Sequence, residues 1–216
     1  MTRVKVCCIA SHEEAALAIA HGAHAIGLVS AMPSGPGPIA EERIAEIAAG
    51  VKPPTRTFLL TSRQSAAAIV EQHRRLRTTT IQIVDHLTDG TYEEIREGLP
   101  GVELVQVVHV TGPESVAEAH DVAPRVDAIL LDSGNQRAAV KELGGTGRTH
   151  DWSVSRRIRE TVGVPVYLAG GLRPENVGAA IAAVRPFAVD LCSGVRTDGH
   201  LDDGKLTDFF AAVAGV

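Results

Sequence analysis

The sequence predicts an α/β protein built as a closed (β/α)8 barrel. Three observations carry this expectation. Eight short apolar runs rich in β-branched residues recur along the chain. Longer Ala-, Glu- and Arg-rich stretches with helical spacing lie between them. The repeat is roughly 25 residues, and strands alternating with helices in this way imply βαβ units on a parallel sheet. The competing fold, an open doubly wound sheet, usually has fewer strands. At 216 residues the barrel is small, since such barrels typically run to ~250.

The expected strands are residues 4–9, 25–29, 56–60, 80–84, 103–110, 128–131, 164–169 and 187–191. The first helix has the clearest signals. Ser11 is an N-cap, and Glu14 three residues on predicts a capping box. Ala15, Leu17, Ala18 and Ala20 supply its apolar face, and Gly22 stops it. The other helices are expected at 41–49, 65–75, 92–97, 113–120, 152–161, 174–184 and 206–214. Asp151 or Thr149 caps the sixth of the eight helices, with Trp152 packing behind. Residues 32–39, rich in Pro and Gly, form a loop. No composition shift marks a second domain, so residues 1–216 are expected to form a single TIM barrel.

Hydrophobic residues make up 44% of the chain but aromatics only 3%, so the core is aliphatic and disorder is excluded. A net charge of −5 gives no electrostatic reason to bind nucleic acid or a membrane surface. No apolar run reaches the ~18 residues that span a bilayer, and Met1-Thr2-Arg3-Val4-Lys5 carries no signal-peptide pattern. Three cysteines, Cys7, Cys8 and Cys192, make no disulfide framework. A soluble, cytoplasmic protein is expected. Nine histidines show no metal-ligand spacing, and no metal is expected. His109 ends the fifth strand and is the one candidate among them to line a pocket.

In this fold the loops leaving the C-terminal strand ends surround one mouth of the barrel, where chemistry is done. Side chains alternate along a strand. Lys5 and Cys7 therefore share one face, and Cys8 shares the other with Val4 and Val6. Lys5 is costly to bury alone, so it is expected inside the barrel with an acid partner. The first and eighth strands adjoin in a closed barrel, which makes Asp190 that partner. Cys7 then lies inside at the mouth, and Cys8 outside against the helices. Gly170-Gly171 before a helix, and Ser193-Gly194 after the eighth strand, suit a phosphate cradle. A thiolate at Cys7 and a protonated Asp132 could exchange protons with a ligand between them. Spacing alone favours two other roles: Cys7 as a small buried hydrophobe, and Asp132 as a cap. The stretch 144–147 lies in a loop long enough to cover the site.

Several blocks resemble one family. They are Lys5-Val6-Cys7-Cys8-Ile9, Gly22-Ala23-His24-Ala25-Ile26-Gly27, Leu131-Asp132-Ser133, the run 144–152 (GGTGRTHDW), the run 168–177 (LAGGLRPENV) and the run 189–195 (VDLCSGV). Together they are similar to phosphoribosylanthranilate isomerase from about residue 3 onward, while roughly residues 30–125 match poorly. The resemblance implies a cofactor-independent Amadori rearrangement in tryptophan biosynthesis. It implies Asp132 as general acid and Cys7 as general base. It places the substrate phosphate on Gly170, Gly171, Ser193 and Gly194. Family members occur as monomers or homodimers.

The chain departs from the family pattern in four places. Cys8 stands where the family usually has glycine. The loop after the second strand, Ser34-Gly35-Pro36-Gly37-Pro38, lacks the usual arginine that engages anthranilate. The fourth strand ends Gln82-Ile83-Val84-Asp85 and keeps only the Gln of Gln-Leu-His-Gly. The third ends Phe58-Leu59-Leu60-Thr61-Ser62 where Val-Asn is commoner. Gln82 is retained as a substrate contact. Arg148, Arg196, His86 and His109 are the candidates for the missing carboxylate contact. The rewritten loop keeps two other readings open: the same chemistry on another phosphoribosyl amine, and a non-catalytic barrel that binds a phosphorylated metabolite.

Overall fold

The computed structural model describes residues 2–134, 143, 147 and 149–216. Eight parallel strands close into a barrel in sequence order. They are β1 (Arg3–Val6), β2 (Ala25–Val29), β3 (Arg56–Thr61), β4 (Thr80–Ile83), β5 (Glu103–His109), β6 (Ala128–Asp132), β7 (Val166–Leu168) and β8 (Ala188–Leu191). Closure is made by β1, which pairs with β2 on one side and β8 on the other. The helices that cover it are α1 (His12–Ala20), α2 (Glu41–Gly50), α3 (Ala66–Leu76), α4 (Tyr92–Gly98), α5 (Ser115–Val122), α6 (Trp152–Thr161), α7 (Pro174–Val184) and α8 (Asp203–Ala214). One addition was not anticipated: a small hairpin, β9 (Arg196–Thr197) and β10 (His200–Leu201), between β8 and α8. Among the described residues no helix is long and apolar enough to cross a membrane.

Helix starts follow local chemistry. The Ser11 hydroxyl accepts the Glu14 N–H at 3.2 Å and caps α1. The expected capping box is only half formed, because the Glu14 carboxylate accepts the Ala10 N–H instead. Its other oxygen turns to Arg196 and to the Leu201 N–H in the hairpin. Long-range partners have taken over a local cap. At Thr91 and Glu94 the reciprocal box does form and opens α4. Asp151 caps α6 by accepting the Ser153 N–H at 2.9 Å.

Strand alternation divides the core into two layers. Outward residues such as Val4, Val6, Ile26, Leu28, Ile129, Leu131, Val189 and Leu191 pack against the helices. Inward residues such as Ala25, Phe58, Val105, Val107, Ala128, Leu130, Tyr167 and Ala188 fill the barrel. The Phe58 and Tyr167 rings meet edge-on at 5.7 Å and plug its middle. Most inward side chains are small or aliphatic, so the interior can also hold one buried ion pair. Lys5 lies opposite Asp190 in the β1–β8 register, with Nζ 2.8 Å from Oδ2.

Candidate active site

The site is built at the C-terminal ends of the strands. An open pocket occupies the mouth. Cys7, Asp132, Asp190 and Gln82 line it, together with Gly170–Gly171 from the loop after β7 and Cys192–Ser193 from the loop after β8. Met32, Ser34, Gly35 and Pro36 close it from the loop after β2. Leu143 and Gly147 also face it. The rest of the stretch 144–147 and Arg148 lie outside the described residues.

Cys7 follows the last residue of β1 and keeps its register, its N–H donating to Leu191 O at 2.7 Å. Gly27 on β2 makes room for it: a Cβ there would lie 2.7 Å from the Cys7 Sγ and 3.2 Å from Lys5 Nζ. Burial pulls the Lys5 ammonium toward neutrality, but Asp190 and then a thiolate at Cys7 outweigh it and hold Lys5 above its ordinary range. A fixed positive charge thus sits beneath the thiol. Burial raises the Asp190 carboxyl, against the pull of Lys5. Its Oδ1 is buried with no hydrogen-bond partner and belongs to the pocket wall.

Asp132 ends β6 with its side chain inward, as its parity with Ala128 and Leu130 requires. It is nearly buried, and its Oδ1 accepts the Ser133 N–H at 2.7 Å. That bond resembles the local cap considered for this residue, yet the carboxyl still faces the pocket. Gln82 is buried with Oε1 unpartnered. His109 lies beside Asp132 in the β5–β6 register, but its Nε2 meets Val84 O at 3.1 Å, and Val84 rather than His109 faces the pocket. His150, which reads as a surface or helix-end residue in sequence, packs behind Gly170. A Cβ on Gly170 would lie 3.0 Å from its Nδ1. Burial keeps this imidazole below its ordinary 6.5 despite the nearby Asp132 and Asp151.

The two glycine-bearing loops support each other. Gly170 and Gly171 adopt φ of 87° and 61°, where a side chain would be strained. A Cβ on Gly194 would collide with the Leu172 carbonyl, so only glycine lets the β8 loop close onto the β7 loop. Asn176 fixes the N-terminus of α7, accepting the Arg173 N–H at 2.8 Å and donating to Gly171 O at 3.0 Å. A helix N-terminus beside two tight glycine turns suits an anion.

A further expectation fails: Cys8 does not point outward to the helices. Its φ of 61° breaks the alternation just past the end of β1, and its side chain joins the inner layer and lines the pocket. Gly37 accommodates it: a Cβ there would lie 2.6 Å from the Cys8 Cβ. Side chain gained at position 8 is matched by none at position 37. Arg196 is also spent elsewhere. Its guanidinium pairs with Glu14 at 2.8 Å and donates to the Cys8 carbonyl at 2.6 Å. His86 is half exposed, in a groove by α4 and α5 away from the pocket. Neither residue lines the pocket.

Comparison with known proteins agrees with this geometry. Residues 4–212 match the family model described as N-(5'phosphoribosyl)anthranilate (PRA) isomerase. The enzyme of that name from Haloferax volcanii is 37% identical over 215 residues, covering 99% of this chain and 93% of its own. That from Methanocella arvoryzae is 35% identical, covering 97% and 96%. The crystal structure of the Thermotoga maritima phosphoribosyl anthranilate isomerase superposes over the whole of both chains with a TM-score of 0.83 at 28% identity. Another, in complex with reduced 1-(o-carboxyphenylamino)-1-deoxyribulose 5-phosphate, gives 0.80 at 27%. This chain belongs to the N-(5'-phosphoribosyl)anthranilate isomerase family.

Proposed function

We propose that this protein isomerises N-(5'-phosphoribosyl)anthranilate to 1-(2-carboxyphenylamino)-1-deoxyribulose 5-phosphate, the Amadori step of tryptophan biosynthesis, using one barrel domain over residues 1–216. The observation that carries the reading is the joint lining of one pocket by Cys7, Asp132 and the glycine-bearing loops. Asp132 protonates the ribose ring oxygen, and the ring opens to a Schiff base. Cys7, as thiolate, takes the proton from the sugar C2 and leaves an enolamine. The Cys7 thiol returns a proton to C1 while the enol O–H at C2 loses its own, which gives the ketone, and Asp132 regains the proton it gave. No electrons are gained or lost, so the reaction as written balances without a cofactor. The glycine loops hold the phosphate and set the sugar between acid and base. The unpartnered Gln82 oxygen accepts a sugar hydroxyl.

Complementation of a tryptophan auxotroph lacking this isomerase tests the reading. Growth is the expected result, with loss of growth when Cys7 is replaced by serine. The described pocket wall carries no arginine or lysine, which favours a second reading: the same chemistry on another phosphoribosyl amine. Absence of growth, with folded protein that still binds a sugar phosphate, would select it.

A further inference from the structure

We propose that Cys8 and Cys192 form an oxidisable dithiol at the mouth of the pocket, a modification site for peroxide-class oxidants that is separate from the chemistry of Cys7. The two residues come from loops 184 positions apart in sequence and line the same pocket. Cys192 packs against the inner layer that holds the Cys8 side chain, and each thiol influences the other's ionisation. Both are free, and Cys192 is partly exposed. The positive φ of Cys8 is what brings the pair together, because a residue continuing β1 would face the helices.

The surroundings divide the two roles. The Arg196 guanidinium stands beside Cys192, and its Nε is buried with no hydrogen-bond partner. A thiolate there would satisfy it. Cys192 is held below the usual thiol range, first by the Cys8 S–H and then, against burial, by Arg196. Cys8 is pushed the other way, first by its contacts with Cys192 and Cys7 and then by burial. Among the described residues its only hydrogen bond to oxygen is a weak one to Pro36 O at 3.7 Å. Among the described residues no cluster of His, Cys, Asp or Glu could hold a metal ion, so the thiols are not arranged as a ligand set.

The step balances as follows. The Cys192 thiolate attacks one peroxide oxygen; the O–O bond breaks, hydroxide leaves, and a sulfenic acid forms. The Cys8 thiol then attacks that sulfur. The S–S bond forms, the S–O bond breaks, and water leaves with the Cys8 proton. Two electrons pass from the two sulfurs to the peroxide. An S–S bond of about 2 Å draws the Cys8 sulfur away from Pro36 and Gly37, on which the loop after β2 is seated. It also pulls on the residue before Ser193–Gly194. Turnover therefore falls on oxidation and returns on reduction.

The test treats reduced protein with hydrogen peroxide, caps the remaining thiols by alkylation, and maps peptides by mass. The expected result is a Cys8–Cys192 link with the loss of two hydrogen atoms, alkylated Cys7, and activity lowered at least about tenfold but restored by dithiothreitol. Cys8→Gly, which suits the backbone at that position, should form no link and keep its activity through the treatment. Cys192→Ser is a second check should that variant fold poorly. A Cys7–Cys8 link, oxidation confined to Cys7, or an unlinked protein would overturn the proposal. The link is read by mass, so its presence or absence stands whether or not the substrate assignment holds.

Discussion

The two halves of the barrel mouth are built differently. The half made by β1, β6, β7 and β8 presents Cys7, Asp132, Asp190 and the two glycine loops, each held by tight backbone packing or a buried charge. The half made by β2, β3 and β4 presents Val29, Met32, Leu60 and Val84, with Gln82 and Ser34 as its polar members. Proton transfer and phosphate binding need groups fixed to within fractions of an ångström, and the first half has the rigidity for it. The second half needs only a surface that fits a flat, largely apolar ring. Such a surface can be rewritten without touching the chemistry.

The largest effect expected is on folding and lies in the first half. Lys5→Met leaves Asp190 as an unpaired buried carboxylate and should cost about 3–5 kcal/mol of stability in urea denaturation. Pairing it with Asp190→Leu should recover much of that loss. A double variant as unstable as the single would mean that packing, not charge, is what Lys5 supplies.

Next comes turnover. Asp132→Asn should lower it at least ~10²-fold, or about 2.7 kcal/mol, with little change in stability. A mild effect would return Asp132 to the role of a cap for Ser133.

The glycines separate the two halves directly. Gly194→Ala and Gly37→Ala should each raise KM about tenfold, roughly 1.4 kcal/mol. The first meets the Leu172 backbone and has no simple rescue. The second meets the Cys8 side chain, so adding Cys8→Gly should restore much of it. Failure of that rescue would show that the second half is no more adaptable than the first.

The smallest effect is a pH dependence. Burial raises Glu14, but hydrogen bonds from Arg196, Ala10 and Leu201 hold it below its ordinary 4.5. Its folded value is depressed, so its contribution is complete above 4.5 and is lost as the pH falls through the folded value. The Tm difference between wild type and Glu14→Gln should be a degree or more at neutral pH and shrink in acid. Charge screening keeps the whole effect below about 1 kcal/mol.

The first half was also the more legible in sequence. Period-two alternation was enough to put Lys5, Cys7, Asp132 and Asp190 inside, and strand order was enough to pair Lys5 with Asp190. Glycines at strand ends announced the loops after β7 and β8. Alternation stops where the strand stops, so Cys8 was assigned to the wrong face; nothing in its neighbours signals a φ of 61°. The hairpin of β9 and β10 is two residues per strand, too short to carry a periodic pattern. The Arg196–Glu14 pair that it supports joins residues 182 apart, and no local rule reports such a contact. The loop after β2 could be read only as a loop. Its fit to Cys8 depends on packing between two separate departures from the family pattern.

The most direct test is the steady-state conversion of N-(5'-phosphoribosyl)anthranilate by the purified protein and by Cys7→Ser, each shown to be folded. The account predicts product from the wild type and a rate at least ~10²-fold lower from the variant. A folded wild type that makes no product, or a serine variant that turns over at close to the wild-type rate, would contradict it.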